Sequence, residues 1–240
     1  MNIRSFLLTL NLLFFPLVLL AQEEKTSAFL MESLTYKFHP KWSVYVELQQ
    51  RSMEDIPTPD YYEFKGGLTY FITPNHQPFI GLGRYVTYAD REVSKQEFRM
   101  WAQYVFVHYL NRFKFEHRAR AEQRFFYEPQ KDVHSTANRY RYRLNVTMPV
   151  NKPKLEPKTF YLNTFEEIFF VNDHPTFARN RFYFGGGYQF SPLFSLGMGY
   201  LNQKEFMQDA HKIYNMGYLS LNFNIQELFK DSDYHIPVAD

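Results

Sequence analysis

Between Ala28 and Ile225 the chain repeats one pattern, in which runs of alternating apolar and polar residues are separated by clusters of turn-forming residues. A period of two places successive side chains on opposite faces of an extended strand. The pattern is plainest from Phe113 to Tyr127. There Phe113, Phe115, His117, Ala119, Ala121, Gln123, Phe125 and Tyr127 share one face, and Lys114, Glu116, Arg118, Arg120, Glu122 and Arg124 share the other. Downstream, Tyr140, Tyr142, Leu144, Val146 and Met148 oppose Arg139, Arg141, Arg143, Asn145 and Thr147. Phe182, Phe184, Tyr188 and Phe190 likewise oppose Arg179, Arg181 and Gln189, and Trp42, Val44, Val46 and Leu48 oppose Ser43, Tyr45, Glu47, Gln49 and Arg51.

Eleven such segments are predicted: Ala28–Phe38, Trp42–Arg51, Tyr61–Ile72, Pro78–Tyr88, Glu97–Tyr109, Phe113–Tyr127, Asn138–Val150, Lys158–Phe170, Arg179–Phe190, Leu193–Lys204 and Lys212–Ile225. Most are about 10 to 13 residues long, the length of a tilted membrane-crossing strand and about twice that of an average globular one. Short links at His39-Pro40, Thr73 to Asn75, Asn111, Asn151 to Pro157 and Ser191-Pro192 alternate with longer polar ones. The longer links are Ser52 to Asp60, Ala89 to Lys95, Glu128 to Ala137, Val171 to Ala178 and Glu205 to His211. Tight turns at one rim and longer loops at the other are the habit of outer-membrane barrels, whose bacterial single-chain members have even strand numbers, so ten or twelve strands are expected.

Magnitude decides which face meets what. An Arg or Lys turned into hydrocarbon costs about 2–4 kcal/mol at the bilayer midplane, so the charged faces belong inside and the aromatic faces outside. The predicted fold is an all-β, antiparallel up-and-down transmembrane β-barrel of about 10–12 strands. Two positions resist the rule: Arg84 shares parity with Ile80 and Leu82, and either Glu166 or Glu167 could point inward, with a bulge able to reset either strand. A soluble β-sandwich also alternates and remains the structural alternative.

Composition supports the membrane reading. Aromatic residues make up 20% of the chain, with 26 Phe and 19 Tyr, while mean hydropathy is negative, which suits a half-lipid, half-water setting. Lys plus Arg number 27 against 25 Asp plus Glu, giving no global argument for a nucleic-acid partner. The absence of cysteine excludes disulfides, thiolate metal sites, a Cys nucleophile and a lipid anchor on Cys. Arg4, the apolar run Phe6 to Leu20 and the small residue Ala21 form an export signal, and no later stretch is apolar for the roughly 18 residues a membrane helix needs. The chain therefore divides into a cleaved signal peptide at 1–21, a barrel at 22–225 and a polar tail at 226–240, with the bacterial outer membrane as its destination.

The Arg-rich inner face is the one constellation with chemical potential. Arg118, Arg120, Arg124, Arg139, Arg141 and Arg143 fall on adjacent strands with Glu116 and Glu122 interleaved, and Arg179 and Arg181 come two strands later. Such a set either pairs with carboxylates to plug a narrow barrel or forms an anion passage or anion site. Other classes are thinly supported. A membrane-embedded lipid hydrolase would need His117 or the loop dipeptide His134-Ser135, without a convincing Ser–His pair. The pairs Asp173/His174 and Asp209/His211 lack further metal ligands, so neither metal nor cofactor is expected. Gly185-Gly186-Gly187 lies within a strand pattern, unlike a phosphate loop, and Trp42 and Trp101 are expected to anchor the membrane interface.

The stretches His117 to Phe125, Arg139 to Leu144, Glu166 to Phe169, Arg179 to Arg181 and Gly199-Tyr200 resemble the bacterial family catalogued as domain of unknown function 2490, whose members are predicted outer-membrane β-barrels. The resemblance runs from about the second strand to the last and implies architecture alone, with no activity, substrate or catalytic residue to transfer. One departure is the ending: the last strand closes near Phe223 and Ile225 and is followed by a polar tail, where outer-membrane barrels commonly finish on an aromatic residue. The expected partners are outer-membrane lipid, the barrel-assembly and periplasmic chaperone machinery and a small anion. The runner-up reading is a soluble periplasmic sandwich or lipocalin-like binding protein.

Overall fold

The computed structural model describes residues 26–52, 59–208 and 210–227; residues 1–21, expected to be a signal peptide, and nearly all of the expected polar tail lie outside them. Its strands are β1 (Thr26–His39), β2 (Trp42–Ser52), β3 (Tyr61–Tyr70), β4 (His76–Ala89), β5 (Glu92–Leu110), β6 (Phe113–Glu128), β7 (Val133–Pro149), β8 (Thr159–Val171), β9 (Phe177–Gln189), β10 (Phe194–Phe206) and β11 (His211–Gln226). Each pairs antiparallel with its neighbours in sequence, and β1 closes the ring against β11. One closed sheet replaces the two stacked sheets of a sandwich.

The barrel has eleven strands, correcting the expectation of an even number. In an up-and-down ring of odd count the first and last strands run the same way, so the seam must be parallel; here it runs from Thr26 opposite Asn215 to Lys37 opposite Gln226. A parallel ladder still satisfies every backbone donor and acceptor along its length, which is what closure demands.

A second correction concerns the links. The β4–β5 turn is tight, with Asp90 and Arg91 both at positive φ as a type I′ hairpin requires, and β6 joins β7 between Glu128 and Val133. Polar residues taken for loops, including the dipeptide His134-Ser135, are strand residues paired with Tyr127 and Phe126. Conversely, one of the longest connections, Pro149 to Thr159, lies on the rim expected to have short turns. Link lengths therefore do not alternate, and they do not orient the barrel.

The strand parities settle the open positions. Glu167 is 1% exposed and faces inward, whereas Glu166 faces outward and bonds Asn180. Arg84 faces outward with Ile80 and Leu82, where its Nη2 donates to Gln96 Oε1 at 2.8 Å. Register shifts occur in both strands, between Thr87 and Tyr88 and between Phe169 and Phe170, but beyond these residues, so neither parity is reset.

Aromatic side chains are not confined to the outside, which corrects the strict division of faces. Trp42 sits on the outer wall near a strand end, as an anchor would, but Trp101 is buried in the lumen. Glycine makes room for such rings. Trp101 and Phe79 lie over Gly81, and the ring of Tyr161 covers Gly187 while its hydroxyl donates to the Leu196 carbonyl at 3.4 Å. A Cβ at Gly187 would collide with that carbonyl and with the ring. Gly187→Leu is therefore expected to lower unfolding stability by about 1–3 kcal/mol or more through overpacking, read as the urea midpoint in detergent. Gly217→Ala, where a Cβ meets nothing within 4 Å, is the neutral comparison.

The interior has two unlike walls. Phe29, Met31, Tyr183, Leu201 and Met216, from β1 and β9–β11, form an apolar cluster, and most of the inward charges come from β2 to β9. At the rim bearing the β3–β4 link, Phe71 turns inward beneath Lys37, whose Nζ stands 5.0 Å from the ring centre; both are buried.

Candidate functional site

All ten residues singled out in the charged face sit on lumen-facing positions of β6, β7 and β9. Their register places like charges opposite one another, Arg118 against Arg143 and Arg120 against Arg141. Such pairs destabilise a sheet unless something intervenes. Three things do.

The first is Glu167, from β8. It accepts from Arg118 Nη2 at 2.8 Å and from Arg141 Nη2 at 2.6 Å, and Arg181 Nη1 stands 3.9 Å away. The second is Glu122, which accepts from Arg139 Nε at 2.6 Å and Arg141 Nη1 at 2.7 Å, with Arg120 Nη1 at 3.5 Å. Arg141 thus bridges two carboxylates from different strands. The third is the buried ring of Phe169, over which the guanidinium groups of Arg139, Arg141, Arg179 and Arg181 lie 4.6–5.4 Å from the centroid. A ring face attracts cations through its quadrupole, and the attraction grows when water is excluded.

The remaining members pair locally. Glu116 accepts from Lys114 at 2.9 Å and lies 3.8 Å from Arg143. Arg124 donates through Nε and Nη2 to Glu97, which Arg99 also engages. Arg179 pairs with Glu205, and Arg181 donates twice to Gln203 Oε1, at 3.0 and 2.6 Å.

The network also extends to residues not singled out in the sequence. Lys65 pairs with Glu47 and Glu63, and Arg51 pairs with Glu63 at 3.3 Å. The signal for Glu47 and Arg51 was present, since both lie on the polar face of the second alternating segment. For Phe169 there was none, because an aromatic residue in a strand reads as outward.

Three cavities lie in series within the ring. A vestibule of about 1060 Å³ opens at the rim carrying the β2–β3 and β4–β5 links. Below it, sharing Arg51, Arg99, Arg139 and Arg179 with its floor, is a chamber of about 60 Å³. Beyond a layer containing Glu47, Lys65, Arg118 and Arg120 is a second chamber of about 80 Å³. Chambers of this size hold a few waters. Between them the lumen is filled by side chains, as small barrels generally are.

Outside this network the other candidates stay apart. His117 lies on the outer wall, with Nδ1 2.6 Å from the Tyr142 hydroxyl and its ring stacked near Phe106 and His108. Asp173 caps the backbone N–H of His174, and His211 opens β11; Asp209 lies outside the described residues. Among the described residues no three His, Asp or Glu side chains converge as a metal site would require.

No curated protein matches the chain. Among solved structures it is similar to LpxR from Salmonella typhimurium, with a TM-score of 0.46 and 8% identity over 76% of this chain and 83% of that one. A family model described as protein of unknown function, DUF2490, matches residues 26–214, and the chain belongs to that family.

Proposed function

We propose that this protein is exported by means of residues 1–21 and resides in the bacterial outer membrane as a β-barrel whose lumen is closed by a charged plug. The observation that carries the reading is the inversion of the usual solvent logic. Large apolar side chains are spread over the outer wall, with Ile80 65% and Phe184 56% exposed, while Glu122, Glu167, Arg118 and Arg143 are buried inside. Water-soluble proteins rarely bury charge while leaving so much apolar surface uncovered. A soluble lipocalin-like binder would also keep an open apolar cup, whereas this interior is charged and packed.

The closed reading is favoured over an anion-preferring pore because the two chambers in the middle of the lumen are small, about 60 and 80 Å³, and the side chains that separate them, among them Glu47, Arg118 and Arg120, are buried. The surplus of arginine over carboxylate around Glu167 and Glu122 is what recommends the pore as second reading. Planar-bilayer recordings separate them. Purified protein is expected to show no steady conductance in high salt; a steady anion-selective current that changes in an Arg120→Gln/Arg141→Gln variant would establish the pore instead. Recovery of the mature chain as a detergent-free monomer would overturn the membrane assignment altogether.

A further inference from the structure

We infer that the vestibule is a binding site for a multiply charged anion bearing phosphate-type groups. The inference deepens the closed-barrel reading, since the plug is what gives the vestibule a floor. Arg51, Arg99, Arg139 and Arg179, which line both the vestibule and the chamber beneath it, make that floor, and Arg124 also lines the vestibule.

Two features show that these cations retain binding capacity. Carboxylates are undersupplied: Glu97 is shared between Arg99 and Arg124, and Glu122 is divided among Arg120, Arg139 and Arg141. In addition, Arg51, whose Nη2 donates to Gln49 Oε1 at 2.7 Å, has Glu63 as its carboxylate at 3.3 Å and shares it with Lys65. Glu205 is taken up by Arg179, and Asp60 and Asp90 also line the chamber.

Guanidinium forks match the geometry of phosphate oxygens. At about 1060 Å³ the chamber is sized for a molecule and not for a simple ion. Tyr61, Tyr62, Tyr88 and Tyr214 add ring faces and hydroxyls for the body of such a molecule. The charged group could be free in solution or belong to a lipid headgroup.

Calorimetric titration of sodium tripolyphosphate into the detergent-purified full chain tests the site, and it does not depend on conductance. Saturable binding that weakens as salt rises is expected. It should be weakened at least about tenfold in an Arg124→Gln/Arg179→Gln variant that keeps its folded gel migration, and be unchanged in Lys41→Gln at the opposite rim. Should the double variant fail to fold, Lys95→Gln, also on the vestibule wall, is read in its place with at least about threefold weakening. No saturable binding, undiminished binding in the folded vestibule variant, or an equal loss in Lys41→Gln would overturn the proposal. Phosphatidylglycerol added to the micelles assigns the source: displacement of tripolyphosphate marks a lipid headgroup, and indifference marks a soluble anion. Failure of the closed-barrel reading would appear separately, as current across a bilayer.

Discussion

Glu167→Gln is expected to cost about 3–5 kcal/mol of unfolding stability, whereas the same change one residue earlier, Glu166→Gln, should stay within about 0.5 kcal/mol. The two carboxylates are adjacent in sequence and differ only in the face they occupy. Glu167 is buried against Arg118, Arg141 and Arg181. Removing its charge leaves guanidinium groups facing one another where a few waters at most can screen them, and an amide oxygen supplies hydrogen bonds without neutralising them. Arg141 keeps Glu122 as a partner, but Arg118 and Arg181 lose the carboxylate they share. Adding Arg118→Met to Glu167→Gln should return part of the loss, because removing both members of a buried pair costs less than orphaning one. Urea unfolding followed by the shift between folded and unfolded gel mobility measures all three variants. Equal midpoints for the Glu166 and Glu167 variants would contradict the inward parity of Glu167.

The second large effect is on the opposite surface and depends on what surrounds the protein. Phe184→Arg, mid-strand on the outer wall and flanked across β8 and β10 by Thr164 and Tyr200, should destabilise the barrel by about 2–4 kcal/mol in lipid vesicles. An outward residue facing water would tolerate the change within about 0.5 kcal/mol. Guanidinium denaturation of vesicle-bound protein gives the value. A neutral result there would mean that the apolar wall does not face hydrocarbon, and the membrane assignment would fail with it.

Much of this architecture is written in the chain as a period of two. The alternation in β2, β6, β7 and β9 places Glu47, Arg118, Arg141 and Arg181 correctly without any knowledge of the ring, because the cost of misplacing an arginine leaves a single sensible face. What escaped the period has identifiable causes. Residues Glu92 to Gln96 and Val133 to Ala137 belong to strands, yet they are too polar to carry an apolar rhythm, so they read as loops. Adjacent glutamates at 166 and 167 gave no contrast between faces. Trp101 and Phe169 lie inside because Gly81 makes room for the first and guanidinium groups cover the second, arrangements that only neighbouring strands can supply. Arg84 breaks the rule of faces: it stands outward, its Nη2 donating to Gln96 Oε1 of β5. The parallel seam is likewise invisible to a periodic pattern, since pairing between the two ends of a sheet is a property of the whole ring.

That seam has a consequence for how the molecule is threaded. With β1 and β11 running the same way, the ring begins at Thr26 at one mouth of the cylinder and ends at Gln226 at the other. Across a bilayer-sealed wall these two ends of the ring therefore face different aqueous compartments, and a partner that engages one of them cannot meet the other.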